Sequence, residues 1–137
     1  MLSAMRKAAK KILEPNRLRH IDGGFSFIPH RFLTDGFLAS LTQTELLLYL
    51  FLVLVSDRYG LSFYSYDSIC SLLQLSADDY IEARDGLMEK DLIAFDGIIF
   101  QVLELPQRPT QTTAAKEAHS QIANLIRQSL GEGQGGR

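Results

Sequence analysis

Cysteine is almost missing from this chain. Cys70 is the single thiol in 137 residues, so neither a disulfide framework nor a thiolate metal cage can form within one chain. A reducing, cytoplasmic setting is the simplest expectation. Cys70 lies between Ile69 and Leu72 in an apolar helical pattern, which predicts a buried structural thiol and not a nucleophile. Long hydrophobic runs are missing too. The longest covers residues 46–55, while a membrane-spanning helix needs about 20 apolar residues. A core helix buried nearly all round is expected there, and no membrane partner. Basic residues open the chain without an apolar stretch behind them, which is unlike a secretory signal.

The familiar catalytic patterns are also lacking. No HExxH, CxxC, P-loop or GxGxxG pattern occurs. His20, His30 and His119 fall in different segments and never reach metal-ligand spacing. Asp78, Asp79 and Glu82 form a carboxylate cluster, but no histidine or separated third carboxylate joins it. The serines have no base nearby. The expectation is a non-enzyme with no cofactor, no metal and no small-molecule substrate.

What the chain does have is a core and a lopsided charge. Hydrophobic residues make up 46% of it, enough to bury an ordinary domain and exclude wholesale disorder. The formal net charge of −2 hides an asymmetry. Residues 1–20 carry Arg6, Lys7, Lys10, Lys11, Arg17 and Arg19 against Glu14 alone; residues 21–106 carry four basic and thirteen acidic side chains; residues 107–137 carry four basic and two acidic ones. A basic arm precedes an acidic body.

Local signals divide the chain further. Ala4, Ala8 and Ile12 recur on one face of a basic amphipathic helix expected over residues 3–13, ended by Pro15-Asn16. After the turn at Asp22-Gly23-Gly24, residues 25–28 predict a short strand. Pro29 opens one or two helical turns over residues 30–39. Thr42-Gln43-Thr44-Glu45 is a capping box, with Leu41 and Leu46 placed as a hydrophobic staple. It starts a helix expected to reach about Arg58 and stop near Gly60. Residues 62–64 form a brief extended segment. Ser65 caps a helix over residues 66–73, Gln74-Leu75 turns, and Ser76 caps another to about Lys90. Two β-rich runs, residues 92–95 and 98–103, flank Asp96-Gly97, a two-residue hairpin signal in which both central residues take positive φ. Residues 106–112 read as a linker. Thr113 caps a last amphipathic helix with a stripe of Ala115, Ala118, Ile122, Leu125 and Ile126, and residues 131–137 form a flexible tail.

This order of helix, short strand, helix, tight turn, helix and hairpin resembles the winged helix–turn–helix superfamily. The likeness is strongest in Ser65-Tyr66-Asp67-Ser68-Ile69-Cys70-Ser71-Leu72-Leu73-Gln74-Leu75-Ser76 and in Ala83-Arg84-Asp85-Gly86-Leu87-Met88-Glu89-Lys90-Asp91-Leu92-Ile93. Asp91 stands where the superfamily pattern has a glycine. The stretch Phe27-Ile28-Pro29, the long apolar helix and Leu61-Ser62-Phe63-Tyr64-Ser65-Tyr66 also resemble winged helices of replication initiators from plasmids, phages and mobile elements. The implied fold is α+β, mainly α. A basic arm (1–22) precedes a winged helix domain (23–105) ending in a hairpin wing; a linker (106–112), an amphipathic helix (113–130) and a tail (131–137) follow.

The resemblance implies a double-stranded DNA partner and a role in transcription regulation or DNA replication. Its third helix would enter the major groove, with Tyr80, Ala83 and Leu87 as the buried stripe. The outward set would then be Asp78, Asp79, Glu82, Arg84, Asp85 and Glu89, an acidic face that repels phosphate. The expected DNA contacts are therefore Arg6, Lys7, Lys10, Lys11, Arg17 and Arg19 of the arm, with Ser65, Tyr66, Ser76 and Arg84 of the body, since helix N-termini suit phosphate. The plainer alternatives are a solvated acidic face and a solubilising basic tail. A different class of function is a protein–protein adaptor that never reads DNA, with a homodimer through residues 114–130.

Overall fold

The computed structural model describes residues 10–110. The helix expected over residues 114–130 lies outside them, as do Arg6 and Lys7. Residues 10–24 are exposed along their whole length, and their one regular feature is a 3-10 turn at Pro15–Arg17. The described end of the expected first helix, residues 10–13, is not helical.

Four helices and three short strands follow: α1 (Arg31–Thr34), α2 (Gln43–Val55), β1 (Leu61–Ser62), α3 (Tyr66–Leu73), α4 (Ala77–Glu89), β2 (Ile93–Phe95) and β3 (Phe100–Val102). The strands form one antiparallel sheet in the order β1-β3-β2, with Leu61 opposite Gln101 and Phe95 opposite Phe100. Helix α2 crosses the middle of the domain and packs chiefly on α4, while α3 leans on α4. Leu48, Leu52, Ile69, Leu87, Leu92 and Phe100 form the driest part of the core.

Residues 25–28 are not a strand. A strand needs a neighbouring edge to satisfy its backbone, and these residues pair with none of the three strands. Phe25 and Phe27 stay exposed, and half-buried Ile28 packs against the core.

Helix α2 begins as its sequence dictates. Thr42 accepts the Glu45 N–H at 3.1 Å, and the Glu45 carboxylate accepts the Thr42 N–H at 2.9 Å. The helix ends at Val55, three residues short of the expected Arg58. Asp57 offers the backbone an alternative, because its Oδ1 accepts from the N–H groups of Tyr59 (2.8 Å) and Leu61 (2.9 Å). Gly60 then turns with φ +84°, and its carbonyl accepts from the Val102 N–H at 2.8 Å. Nor is α2 buried all round: Leu47, Leu50 and Leu54 form an exposed row at i, i+3 and i+7.

The capping glutamate has a second task. Its Oε1 lies 2.6 Å from Lys90 Nζ, and both side chains are only 8% exposed. Lys90 also donates to the Ser40 carbonyl at 2.6 Å. This pair ties the start of α2 to the end of α4. It also explains Gly86, a helix-interior glycine that would otherwise cost about 1 kcal/mol relative to alanine. A Cβ there would overlap Glu45 Oε2 and come within 2.9 Å of Glu45 Cδ. A second long-range clamp comes from Arg31. Its guanidinium donates to the carbonyls of Leu105, Pro106 and Gln107, pairs with Asp35 at 3.0 Å and stacks over Phe37.

Asp91 follows α4 with φ +62°, the left-handed conformation that the glycine of the superfamily pattern would adopt. A non-glycine residue pays a steric penalty there of about 1–2 kcal/mol. Asp91→Gly is expected to raise stability by roughly 0.5–1 kcal/mol once glycine's extra unfolded-state entropy is deducted. A thermal melt should show a midpoint a few degrees higher; a lower midpoint would mean that the Asp91 side chain supplies a compensating contact.

Candidate nucleic-acid interface

Helices α3 and α4 are joined by a tight turn with chemistry at both ends. Ser65 Oγ accepts from the Ser68 N–H at 3.3 Å and Ser76 Oγ from the Asp79 N–H at 3.0 Å, so each hydroxyl caps a helix start. Between them Gln74 sits at φ +56°, ψ +48°, where α3 stops. Leu75 N–H returns to the Cys70 carbonyl at 3.0 Å, and the half-buried Cys70 thiol points at the Ser76 carbonyl at 3.8 Å. Tyr80, Ala83 and Leu87 hold α4 on the core. A β-hairpin follows directly and pairs with β1.

Residues 39–93 match the family of helix–turn–helix domains. The domain is a winged helix–turn–helix. No curated protein and no solved structure matches the chain. A helix–turn–helix domain points to DNA as partner and is typically non-enzymatic. Among the described residues, no helix is long and apolar enough to cross a membrane, and no group of three or more His, Cys, Asp or Glu could hold a metal.

The wing turns one residue later than the sequence pattern suggests. Phe95 pairs with Phe100 and the Asp96 N–H donates to the Ile99 carbonyl, so Gly97 and Ile98 are the central pair. Only Gly97 takes positive φ, +99°. Asp96 instead uses its carboxylate, which accepts from Ile98 N–H at 2.8 Å and Ile99 N–H at 2.7 Å. Those two bonds hold its pKa below the ordinary carboxylate value. The tip of the wing is therefore a fixed negative charge.

The winged helix engages its own cations. Of the four basic side chains in residues 21–106, Arg31 pairs with Asp35, Arg84 with Asp85 and Lys90 with Glu45, while Arg58 lies over the Tyr59 ring. Arg84, an expected DNA contact, is half-buried, its guanidinium over both the Tyr80 and Phe95 rings. It braces α4 against the wing. Burial raises the Tyr80 pKa, and the adjacent Arg84 lowers it in part. Meanwhile Asp78, Glu82, Asp85 and Glu89, spaced four, three and four apart, run along one exposed row of α4.

The expected contacts thus fall into two places. Lys10, Lys11, Arg17 and Arg19 are exposed on the arm, and among the described residues none forms an ion pair. Ser65, Tyr66 and Arg84 line one concavity between α3, α4 and the wing; Ser76 caps α4 beside it. Phe63, Ile81 and Ile98 also line that concavity and were not legible as a group, being 18 and 17 positions apart in sequence.

Proposed function

We propose that this chain is a DNA-binding regulatory protein, serving transcription or replication in the cytoplasm, whose winged helix is held on duplex DNA by phosphate contacts from its basic arm. The observation that carries this reading is the division of charge. Arg31, Arg84 and Lys90 of the body are paired with its own carboxylates, and exposed Arg58 lies over the Tyr59 ring, while Lys10, Lys11, Arg17 and Arg19 stand exposed with no ion pair among the described residues. Phosphate neutralisation dominates DNA affinity, and arms supply it for other domains. Arg6 and Lys7 extend the same charge. The body would add Ser65, Tyr66 and Ser76 at the starts of α3 and α4, where backbone N–H groups suit phosphate. The sequence likeness to replication initiators supports replication as one setting, and the single Cys70 suits a reducing compartment.

The test is binding of the full chain to random-sequence duplex DNA at low salt, followed by fluorescence anisotropy. Binding is expected. Its absence would end this reading and favour the protein–protein adaptor, for which the carboxylate row on α4 is the supporting observation.

A further inference from the structure

The concavity between α3, α4 and the wing has a volume of about 680 Å³. Its lining is mainly apolar and aromatic, with Phe63, Tyr66 and Ile98 all more than half exposed. Along α4, Ala77, Ile81 and Arg84 face the concavity. Asp78, Glu82 and Asp85 each follow one of these by a single position, so the carboxylate row flanks the groove along its length, and Asp96 marks the wing tip. An occupant must therefore carry apolar side chains among positive charges.

The chain contains such a segment. Residues 10–21 hold Ile12, Leu13, Leu18 and Ile21, each more than half exposed, interspersed with Lys10, Lys11, Arg17 and Arg19. Among the described residues, no hydrogen bond or ion pair joins this segment to its own body. Fully extended, twelve residues span about 40 Å, ample to follow the roughly 20 Å length of a 13-residue helix such as α4. We propose that the basic–apolar arm of a second copy lies in this groove, with its aliphatic side chains on Phe63, Tyr66, Ile81 and Ile98 and its cations against Asp78, Glu82, Asp85 and Glu89. The contact is heterologous, arm to groove, and not a like-with-like patch. It does not rest on the DNA reading, although the two uses of the arm exclude each other.

The experiment is sedimentation velocity of the full chain over a concentration series at low and high salt, without DNA. Association that weakens with salt is expected. A chain with Lys10, Lys11, Arg17 and Arg19 changed to glutamate should sediment as a monomer, and so should one with Glu82→Lys and Glu89→Lys. Mixing these two monomeric variants should restore association, because the unaltered arm of the second meets the unaltered groove of the first. The chain has no tryptophan, so Ile98→Trp gives a single reporter whose emission should shift to the blue as the wild-type arm covers it. A wild-type chain that stays monomeric throughout would overturn the proposal. So would association that survives both charge reversals, or a mixture that fails to associate.

Discussion

Glu45→Ala is expected to cost about 3–5 kcal/mol of folding stability, the range for stripping one partner from a buried ion pair. The size of the effect comes from what is left behind. Lys90 Nζ would keep its bond to the Ser40 carbonyl but lose the carboxylate at 2.6 Å, in a site where its side chain is only 8% exposed. The Thr42 N–H at the start of α2 would lose its acceptor as well. Unfolding in urea would show a lower midpoint with an unchanged slope. Replacing both partners by apolar residues of similar volume, Glu45→Leu with Lys90→Met, should recover most of the loss, since a buried pair often contributes little net stability over a packed apolar substitute. A loss below about 1 kcal/mol for Glu45→Ala would show that water reaches Lys90 and that the pair is not sealed, contrary to the buried-pair range. Gly86→Ala probes the same contact from α4, because its Cβ would push on the Glu45 carboxylate.

About six phosphate contacts from the arm should make DNA affinity fall roughly a thousandfold between about 50 and 200 mM salt, and removing the arm's charge is expected to abolish most of that loss together with the low-salt affinity behind it. Each neutralised phosphate contributes about 0.9 to the slope of log affinity against log salt. Changing Arg6, Lys7, Lys10, Lys11, Arg17 and Arg19 to glutamine should therefore flatten that slope by about 5. The loss should be alike on every sequence, because phosphate contacts position a protein without reading bases. The body offers little in compensation: its carboxylate row on α4 and the charge of Asp96 both have the wrong sign for phosphate. Titration of wild type and variant on two unrelated duplexes checks this. A loss confined to one duplex would mean that the arm reads bases.

The parts of the fold that were legible in the sequence are those decided within a few residues. Thr42, Ser65 and Ser76 announce three helix starts because a hydroxyl bonds a backbone N–H three positions on, and each does so. The stripe of Tyr80, Ala83 and Leu87 follows from helix periodicity, and each of the three is buried. The left-handed residue at Asp91 follows from the superfamily pattern. What escaped is long-range. Nothing local shows that Lys90 meets Glu45 across 45 positions, or that Arg31 reaches carbonyls 74 to 76 positions away. Arg84 reads as an outward cation on a helix wheel, yet the wing brings Phe95 over it. Residues 25–28 have a strand's composition but pair with no strand of the sheet. At the wing, Asp-Gly marks the turn correctly, but the Asp96 side chain takes the two amides beyond it and moves the pivot by one residue.

The arm, and not the acidic face of α4, is proposed to supply the affinity for DNA. Fluorescence anisotropy on one random duplex across a salt series tests it most directly, comparing the full chain with two variants. One has the six arm cations changed to glutamine; the other has Asp78, Glu82 and Glu89 changed to the corresponding amides. A flattened salt slope is expected for the arm variant and a wild-type slope for the α4 variant. A wild-type slope for the arm variant, with the body binding as before, would contradict the proposal.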